Sequence, residues 1–210
     1  LYANLLINKQ PKIFNKTSQK DLNYSVVISS SSKDDLLNQL SNISEQTELP
    51  RKVIVEENFT VDINLNNYGF EIQQFRGLNL FSPKILLQVT SDISTEWIAF
   101  LSSDCIWTKD RAEKINNVYR NSQLINIGLI HTNFNLNQIY SNKFDSYDKF
   151  DPFIRGDCAN LMIEKGSYPY FSNSFIKTEL LHSLLPEIEV ELTDEYLFNL
   201  IMILSSQKAN

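Results

Sequence analysis

The feature that most constrains the fold is an early alternation of strand, helix and strand. Residues 24–28 form a short β-branched run and residues 52–55 form another, each typical of a buried strand. Between them, residues 34–46 carry leucine and isoleucine at helical spacing. A strand, a helix and a strand this close together pair their strands in parallel, so the sequence predicts a right-handed βαβ unit.

The rest of the chain extends this pattern. Residues 70–75 and 97–101 predict further strands, and residues 83–93 predict a helix with Pro83 in its first turn. Later predicted elements are a helix at 109–119, a hairpin of 125–131 with 138–140, a polar aromatic loop at 145–156, a strand at 159–163, and helices at 177–185 and 194–204. The predicted class is α/β, with a parallel βαβαβ half that continues into a mixed central sheet flanked by helices.

The predicted elements suggest one main domain preceded by a short N-terminal segment. Residues 1–23 predict a short helix at 2–7 and then a linker, and residues 24–210 predict the domain proper. Because the first residue is Leu1 rather than Met, we expect the chain to belong to a longer polypeptide with other domains.

The composition of the chain argues against several classes of function. The net charge of −6 argues against a nucleic-acid partner, which would require a basic surface to neutralise phosphates. No apolar run approaches the length that spans a bilayer, so we expect no transmembrane segment. Cys105 and Cys158 are the two cysteines, and their spacing suggests neither a disulfide framework nor a zinc site.

Polar residues follow three of the predicted strands. They are the serines at 29–32, the pair Glu56-Glu57, and residues 102–105 after the apolar run that includes Trp97. The carboxyl ends of parallel strands meet at one edge of a sheet, where open α/β proteins bind ligands. A nucleotide needs simultaneous contacts to base, ribose and phosphate, which such convergence would provide. The alternative is that strand ends are polar only because they turn into solvent.

Four segments, in order, resemble the family-two glycosyltransferases. Residues 25–33 are similar to that family's opening strand, although serines stand where its Pro-x-Tyr-Asn segment is usual. Gln46-Thr47 and residues 53–58 are similar to its Gln-Thr and Asp-Asp-Gly-Ser segments, and residues 96–107 to its Leu-Asp-x-Asp-Asp stretch. Residues 175–181, followed by 193–196, resemble its late acceptor-side helix and Glu-Asp pair. The likeness covers residues 24–205.

The resemblance implies a GT-A fold and transfer of a sugar from a UDP- or GDP-linked donor to a glycan acceptor, usually with inversion. By this likeness, Ser29, Ser31 and Ser102 would line the donor nucleotide site, with Glu57 near the nucleobase. The setting it implies is bacterial glycan or polysaccharide assembly, in the cytoplasm or peripherally at the inner face of the membrane.

The resemblance also assigns the carboxylates. Asp104 would be the metal ligand, and Asp194 or Glu195 would be the base that deprotonates the acceptor hydroxyl. A Mg²⁺ or Mn²⁺ ion offsets the charge of a diphosphate leaving group, and hard cations bind carboxylates. A carboxylate within hydrogen-bond reach of a sugar hydroxyl is a suitable general base.

Departures from the family pattern support a second hypothesis. Ser102 and Cys105 replace two carboxylates of the metal motif, and Leu86-Leu87 stand where a basic residue is usual, with Lys84 nearby. The alternative is a catalytically degenerate glycosyltransferase-like domain that binds a glycan or a protein. A nucleotidyltransferase is a third hypothesis, against which stands the lack of a Gly-rich, basic phosphate loop after the first strand.

Overall fold

The described part of the chain forms a six-stranded sheet covered by helices. The structure, a computed structural model, describes residues 21–60, 63–77, 82–103, 105–121, 128–131, 174–188 and 201. The strands are Tyr24–Ser29 (β1), Lys52–Glu56 (β2), Glu71–Phe75 (β3), Trp97–Ser102 (β4), Leu129–His131 (β5) and Ser174–Lys177 (β6). The α-helices are Lys33–Ser44 (α1), Pro83–Thr90 (α2), Arg111–Asn121 (α3) and Thr178–Leu184 (α4), and short 3₁₀ turns occur at Glu57–Phe59, Leu65–Asn67 and Leu185–Glu187.

The strand order is β3-β2-β1-β4-β6-β5. The first four strands are parallel, β6 runs antiparallel to β4, and β5 runs antiparallel to β6. The predicted α/β class, a parallel half that continues into a mixed sheet, is confirmed. Within the described residues, none of the helices combines the length and the apolar character that crossing a membrane requires.

Helices cover both faces of the sheet. Val26 of β1 faces α1 and α3, whereas its neighbour Val27 faces α2 and α4. This alternation follows from the two-residue period of a strand, which sends successive side chains to opposite faces. Because both faces are covered, the central strands read as continuous apolar runs in the sequence.

Helix α1 follows the first strand and has clear start signals. Ser32 is its N-cap and accepts a hydrogen bond from the Asp35 backbone N–H, while Asp34 and Asp35 place negative charge in the first turn. Leu36, Leu40 and Ile43, on one side of the helix, are buried against the sheet. The helix predicted at 34–46 is therefore confirmed, with slightly earlier bounds.

Two other helices end or begin at different residues from those predicted. Helix α2 stops at Thr90 rather than at 93, since the Ile93 N–H bonds to the Thr90 carbonyl in a turn. Helix α3 begins at Arg111 rather than at 109. The predictions at 2–7, 138–140, 145–156 and 159–163 lie outside the described residues. So does the helix predicted at 194–204, apart from Ile201, which is helical and buried.

Strand β6 corrects the assignment of residues 175–181 to a single acceptor-side helix. Phe175–Lys177 belong to the strand, and the helix starts only at Thr178. Phe175 is fully buried and pairs with Ala99 of β4 and Ile130 of β5. A four-residue strand with a single β-branched residue carries little local signal, so pairing with two partner strands decides its conformation.

The Phe175 ring provides a test of this correction. It lies 5.3 Å from the Tyr24 ring and 5.8 Å from the Trp107 ring, centroid to centroid. We expect Phe175→Ala to lower the free energy of unfolding in urea by about 3–5 kcal/mol, because it leaves a cavity between these rings. Phe175→Leu, which retains most of the apolar volume, should lose clearly less. An alanine variant within 1 kcal/mol of wild type would contradict the central position of β6.

Candidate functional site

The carboxyl ends of β1 and β4 form the switch point of the sheet. From β1 the chain builds outward through β2 and β3, then returns to the other side of β1 as β4. A crevice opens at such a reversal, and open α/β sheets bind their ligands there. Ser29 and Ser102 stand opposite each other in the β1–β4 register. The fold therefore brings these two predicted site residues together at the point where a ligand is expected.

The serines after β1 are tied to the start of α1. The Ser31 and Ser32 hydroxyls both donate to the Asp35 carboxylate, the latter at 2.8 Å. These bonds, with Ser31 the larger contributor, hold the pKa of the Asp35 carboxyl below its usual range. The Ser31 donor is therefore in use, and its oxygen keeps lone pairs that can accept a hydrogen bond from a ligand.

The two glutamates after β2 have different roles. Glu56 accepts hydrogen bonds from the Gly77 N–H at 3.1 Å and from the Asn58 amide at 3.2 Å. Gly77 has a φ of +67°, a conformation that favours glycine, so Glu56 secures the turn after β3. Glu57 instead pairs with Arg76 at 3.0 Å, and 44% of its side chain is exposed. Glu57 is thus partly exposed at this edge, with its carboxylate paired to a side chain rather than to the backbone.

A turn follows β4. The Cys105 N–H donates to the Ser102 carbonyl at 3.0 Å, which closes a four-residue turn. Asp104 is the third of these four residues in sequence but lies outside the described residues, as do Asp194 and Glu195. Their predicted roles as metal ligand and base remain predictions. Among the residues that the structure describes, no three His, Cys, Asp or Glu side chains cluster to hold a metal ion.

Gln39 is a residue at this site that the sequence reasoning missed. It is 4% exposed, and its amide donates to the carbonyls of Ser29 at 3.2 Å and Leu101 at 3.4 Å. It also accepts a hydrogen bond from the Ser30 hydroxyl. Its side chain therefore joins β1 to β4 at the switch point. The sequence feature that could have identified Gln39 is its position as a polar residue on the otherwise apolar face of α1.

Arg111 forms a second polar feature, at the start of α3. Its guanidinium lies 4.3 Å from the Trp107 ring centroid and 5.7 Å from that of Phe175. Burial lowers the Arg111 pKa to about 10, against the opposing influence of Cys105 and Tyr24. Trp107 is 3% exposed and belongs to the core.

A cavity of about 720 Å³ lies at the opposite edge of the sheet. It is lined by residues at the amino ends of the parallel strands, including Arg51, Lys52 and Glu71. Lys52 and Glu71 pair with each other at 3.0 Å across the β2–β3 ladder. Of the predicted site residues that the structure describes, Ser29, Ser31, Glu57 and Ser102, none lines this cavity, so we assign the candidate site to the carboxyl edge instead.

The serine loop gives a prediction about pH. Because the folded-state pKa of Asp35 is lowered, its stabilising contribution is present above the unfolded pKa, near 3.8, and is lost as pH falls through the folded value. We expect an NMR titration of Ser31→Ala to show the Asp35 pKa moved upward toward 3.8. Ser44→Ala, at the far end of α1, should leave it unchanged. Equal Asp35 pKa values in wild type and Ser31→Ala would refute this account of the loop.

Comparisons with known proteins bear on the fold. No protein-family model and no curated protein matches this sequence. The structure is similar to S. aureus TarS (residues 1–349), with a TM-score of 0.57 and 15% identity over 87% of this chain and 56% of TarS. TarS in complex with UDP-GlcNAc gives a TM-score of 0.56 and 15% identity, over 87% of this chain and 54% of that one.

A third structure is less similar. The mannosyltransferase PcManGT from Pyrobaculum calidifontis, in complex with GDP-Man and Mn²⁺, has a TM-score of 0.49 and 14% identity over 87% of this chain and 52% of that one. The chain spans about half the length of these solved structures. The likeness to TarS shows the fold: the described part of the chain forms a mostly parallel α/β sheet with flanking helices.

Proposed function

We propose that the chain is a GT-A glycosyltransferase domain that transfers a sugar from a nucleotide donor to a glycan hydroxyl, with inversion, in bacterial glycan assembly. The observation that carries this proposal is the convergence of Ser29, Glu57 and Ser102 on the switch-point edge of a glycosyltransferase fold. The complex of TarS with UDP-GlcNAc supports a nucleotide sugar as the ligand class.

The dimensions of the edge suit a nucleoside diphosphate. Neighbouring strands lie about 4.8 Å apart, so groups that follow β2 and β4 are separated by roughly 10 Å across β1. In our proposal the base and ribose lie near Glu57 and Ser31, whose oxygens accept hydrogen bonds from ring N–H or hydroxyl groups. The diphosphate then extends toward Ser102 and Asp104.

The negative charge of the diphosphate requires a counterpart. Helix α2 runs back from the carboxyl edge, so its N-terminus, where the helix dipole is positive, lies on the ligand side. Lys84 is exposed in the first turn of this helix and adds a cation. Asp104, together with the donor phosphates, would hold a Mg²⁺ or Mn²⁺ ion, and such an ion stabilises the departing diphosphate.

The transfer step needs a base on the acceptor side. We assign this role to Asp194 or Glu195, which would remove the proton from the acceptor hydroxyl as its oxygen attacks the anomeric carbon. Attack from the face opposite the diphosphate inverts the configuration at that carbon. The carboxylate takes the proton, and the nucleoside diphosphate leaves with the bonding electron pair.

Two observations favour a non-catalytic glycan- or protein-binding module as the second candidate. Ser102, at the end of β4, offers a hydroxyl where the resembled motif has a carboxylate. Glu57 is already paired with Arg76. Both features would weaken a donor site. Activity measurements therefore separate the two candidates.

Nucleotide titration tests the donor site. We expect UDP or GDP to bind the domain in calorimetry with Mn²⁺ and to bind at least about tenfold more weakly with a chelator, since a bound cation strengthens phosphate contacts. Asp104→Asn should abolish the metal dependence. Asp110→Asn, a change at an exposed carboxylate paired with Lys114, is the matched control and should bind as wild type does. Metal-independent affinity in every variant would contradict the role of Asp104.

Donor hydrolysis tests the base. We expect the domain to release free nucleotide slowly from the nucleotide sugar that it binds, and Asp194→Asn or Glu195→Gln to reduce that rate by about 10²-fold or more while donor affinity is retained. The rate is measured by chromatography of the released nucleotide. A domain that binds the donor yet hydrolyses it equally slowly in all variants would support the non-catalytic module.

A further inference from the structure

Helix α1 and the residues just past its end direct a row of side-chain amides toward the segment that follows β4. Gln39 and Asn42 are three positions apart and lie on one side of the helix, and Gln46 follows two residues after its last residue, Ser44. Their described partners include backbone groups of Leu101, Trp107, Thr108 and Ala112. The row therefore follows the chain from the end of β4 toward the start of α3.

The first two amides hold the chain on both sides of the turn at 102–105. Gln39 donates to the Leu101 carbonyl, just before the turn. Asn42 donates to the Trp107 carbonyl at 2.9 Å and accepts from the Trp107 N–H at 2.8 Å, just after it. This reciprocal pair satisfies both backbone groups of one residue, as a neighbouring strand would.

Two side chains of the segment between these points lie in solvent. Ile106 is 85% exposed, and Ser103 is also exposed. Cys105, by contrast, is partly buried and packs against the core cluster that includes Trp107. Hydrogen bonds at the two ends, together with the bond between Ser102 and Cys105, restrict this backbone in addition to that contact.

We propose that Gln39 and Asn42 are positioning residues that fix the turn at 102–105 in the geometry that receives the donor diphosphate. This inference rests on the proposed function for the choice of ligand. Neither residue needs to touch the ligand, because each acts through a backbone group that flanks the turn. Gln39 also holds the Ser29 carbonyl, so the same amide sets the spacing of the two sides of the crevice.

Gln46 offers a matched control within the same row. It is 5% exposed and donates to the Thr108 carbonyl at 3.0 Å, while it accepts from the Ala112 N–H at 3.4 Å. These bonds resemble those of Gln39 in type and burial, but they involve residues beyond Trp107, and Gln46 itself lies just past the C-terminal end of α1. Loss of Gln46 removes comparable hydrogen bonds without releasing the turn.

The experiment compares Gln39→Leu, Asn42→Leu and Gln46→Leu in urea unfolding and in titration with UDP and GDP in the presence of Mn²⁺. We expect all three variants to be less stable than wild type. Only the first two should also bind nucleotide more weakly, by about tenfold, because a mobile turn must be ordered on binding. Equal affinities in all three variants, with a wild type that binds, would overturn the proposal.

A second measurement separates this inference from the proposed function. Hydrogen exchange of the Cys105 and Trp107 amides reports on the turn without any ligand. If the wild type binds neither nucleotide, the donor assignment fails, and exchange alone decides the positioning role. Faster exchange in the Gln39 and Asn42 variants, but not in Gln46→Leu, supports it; equal exchange overturns it.

A conservative variant covers the case in which the leucine variants do not fold. Asn42→Asp keeps an acceptor for the Trp107 N–H and loses the donor to the Trp107 carbonyl. We expect intermediate nucleotide affinity and intermediate exchange at Trp107. Wild-type values in both measurements would overturn the role of Asn42.

Discussion

The structure depends on the parallel pairing of β1 with β2 on one side and β4 on the other. Every β1 residue from Tyr24 to Ile28 is buried, since helices cover both faces of the sheet. Parallel pairing requires connections that return the chain to the amino edge, and helices α1 and α2 lie in the connections that lead into β2 and β4. That return places the carboxyl ends of β1 to β4, and the polar residues that follow them, at one edge.

The reversal of strand order then decides which loops lie next to each other at the candidate site. Because β4 pairs with β1 rather than with β3, the segments after β1 and β4 lie side by side at the carboxyl edge, and both lead to helices, α1 and α3, on the same face of the sheet. At this edge, hydrogen bonds order several of the loops. Asp35 holds the serine loop, Glu56 holds the turn after β3, and the α1 amides hold the segment after β4. The donor site that we propose is thus a set of loops fixed by polar contacts on a rigid apolar sheet.

Helix α1 links these two levels of organisation. One side of the helix buries Leu36, Leu40 and Ile43 against the sheet. The adjacent amides of Gln39 and Asn42 form hydrogen bonds with backbone groups of neighbouring segments. Burial of an amide costs free energy unless the amide forms hydrogen bonds. Each buried amide of α1 therefore requires the backbone partners that it contacts. The same helix therefore stabilises the core and orders the edge where the ligand is expected.

The sequence by itself determined the elements with strong local signals. The β-branched run of β1, the leucine spacing and acidic first turn of α1, and the apolar run of β4 identified the parallel half and placed Ser29, Glu57 and Ser102 at strand ends. Only the tertiary structure decided what depends on distant partners. Strand β6 exists because β4 and β5 flank Phe175, and Gln39 becomes a bridge only when Ser29 and Leu101 lie on adjacent strands. Local preference acts over a few residues along the chain, whereas strand pairing and buried hydrogen bonds join residues far apart in sequence, 62 positions for Gln39 and Leu101.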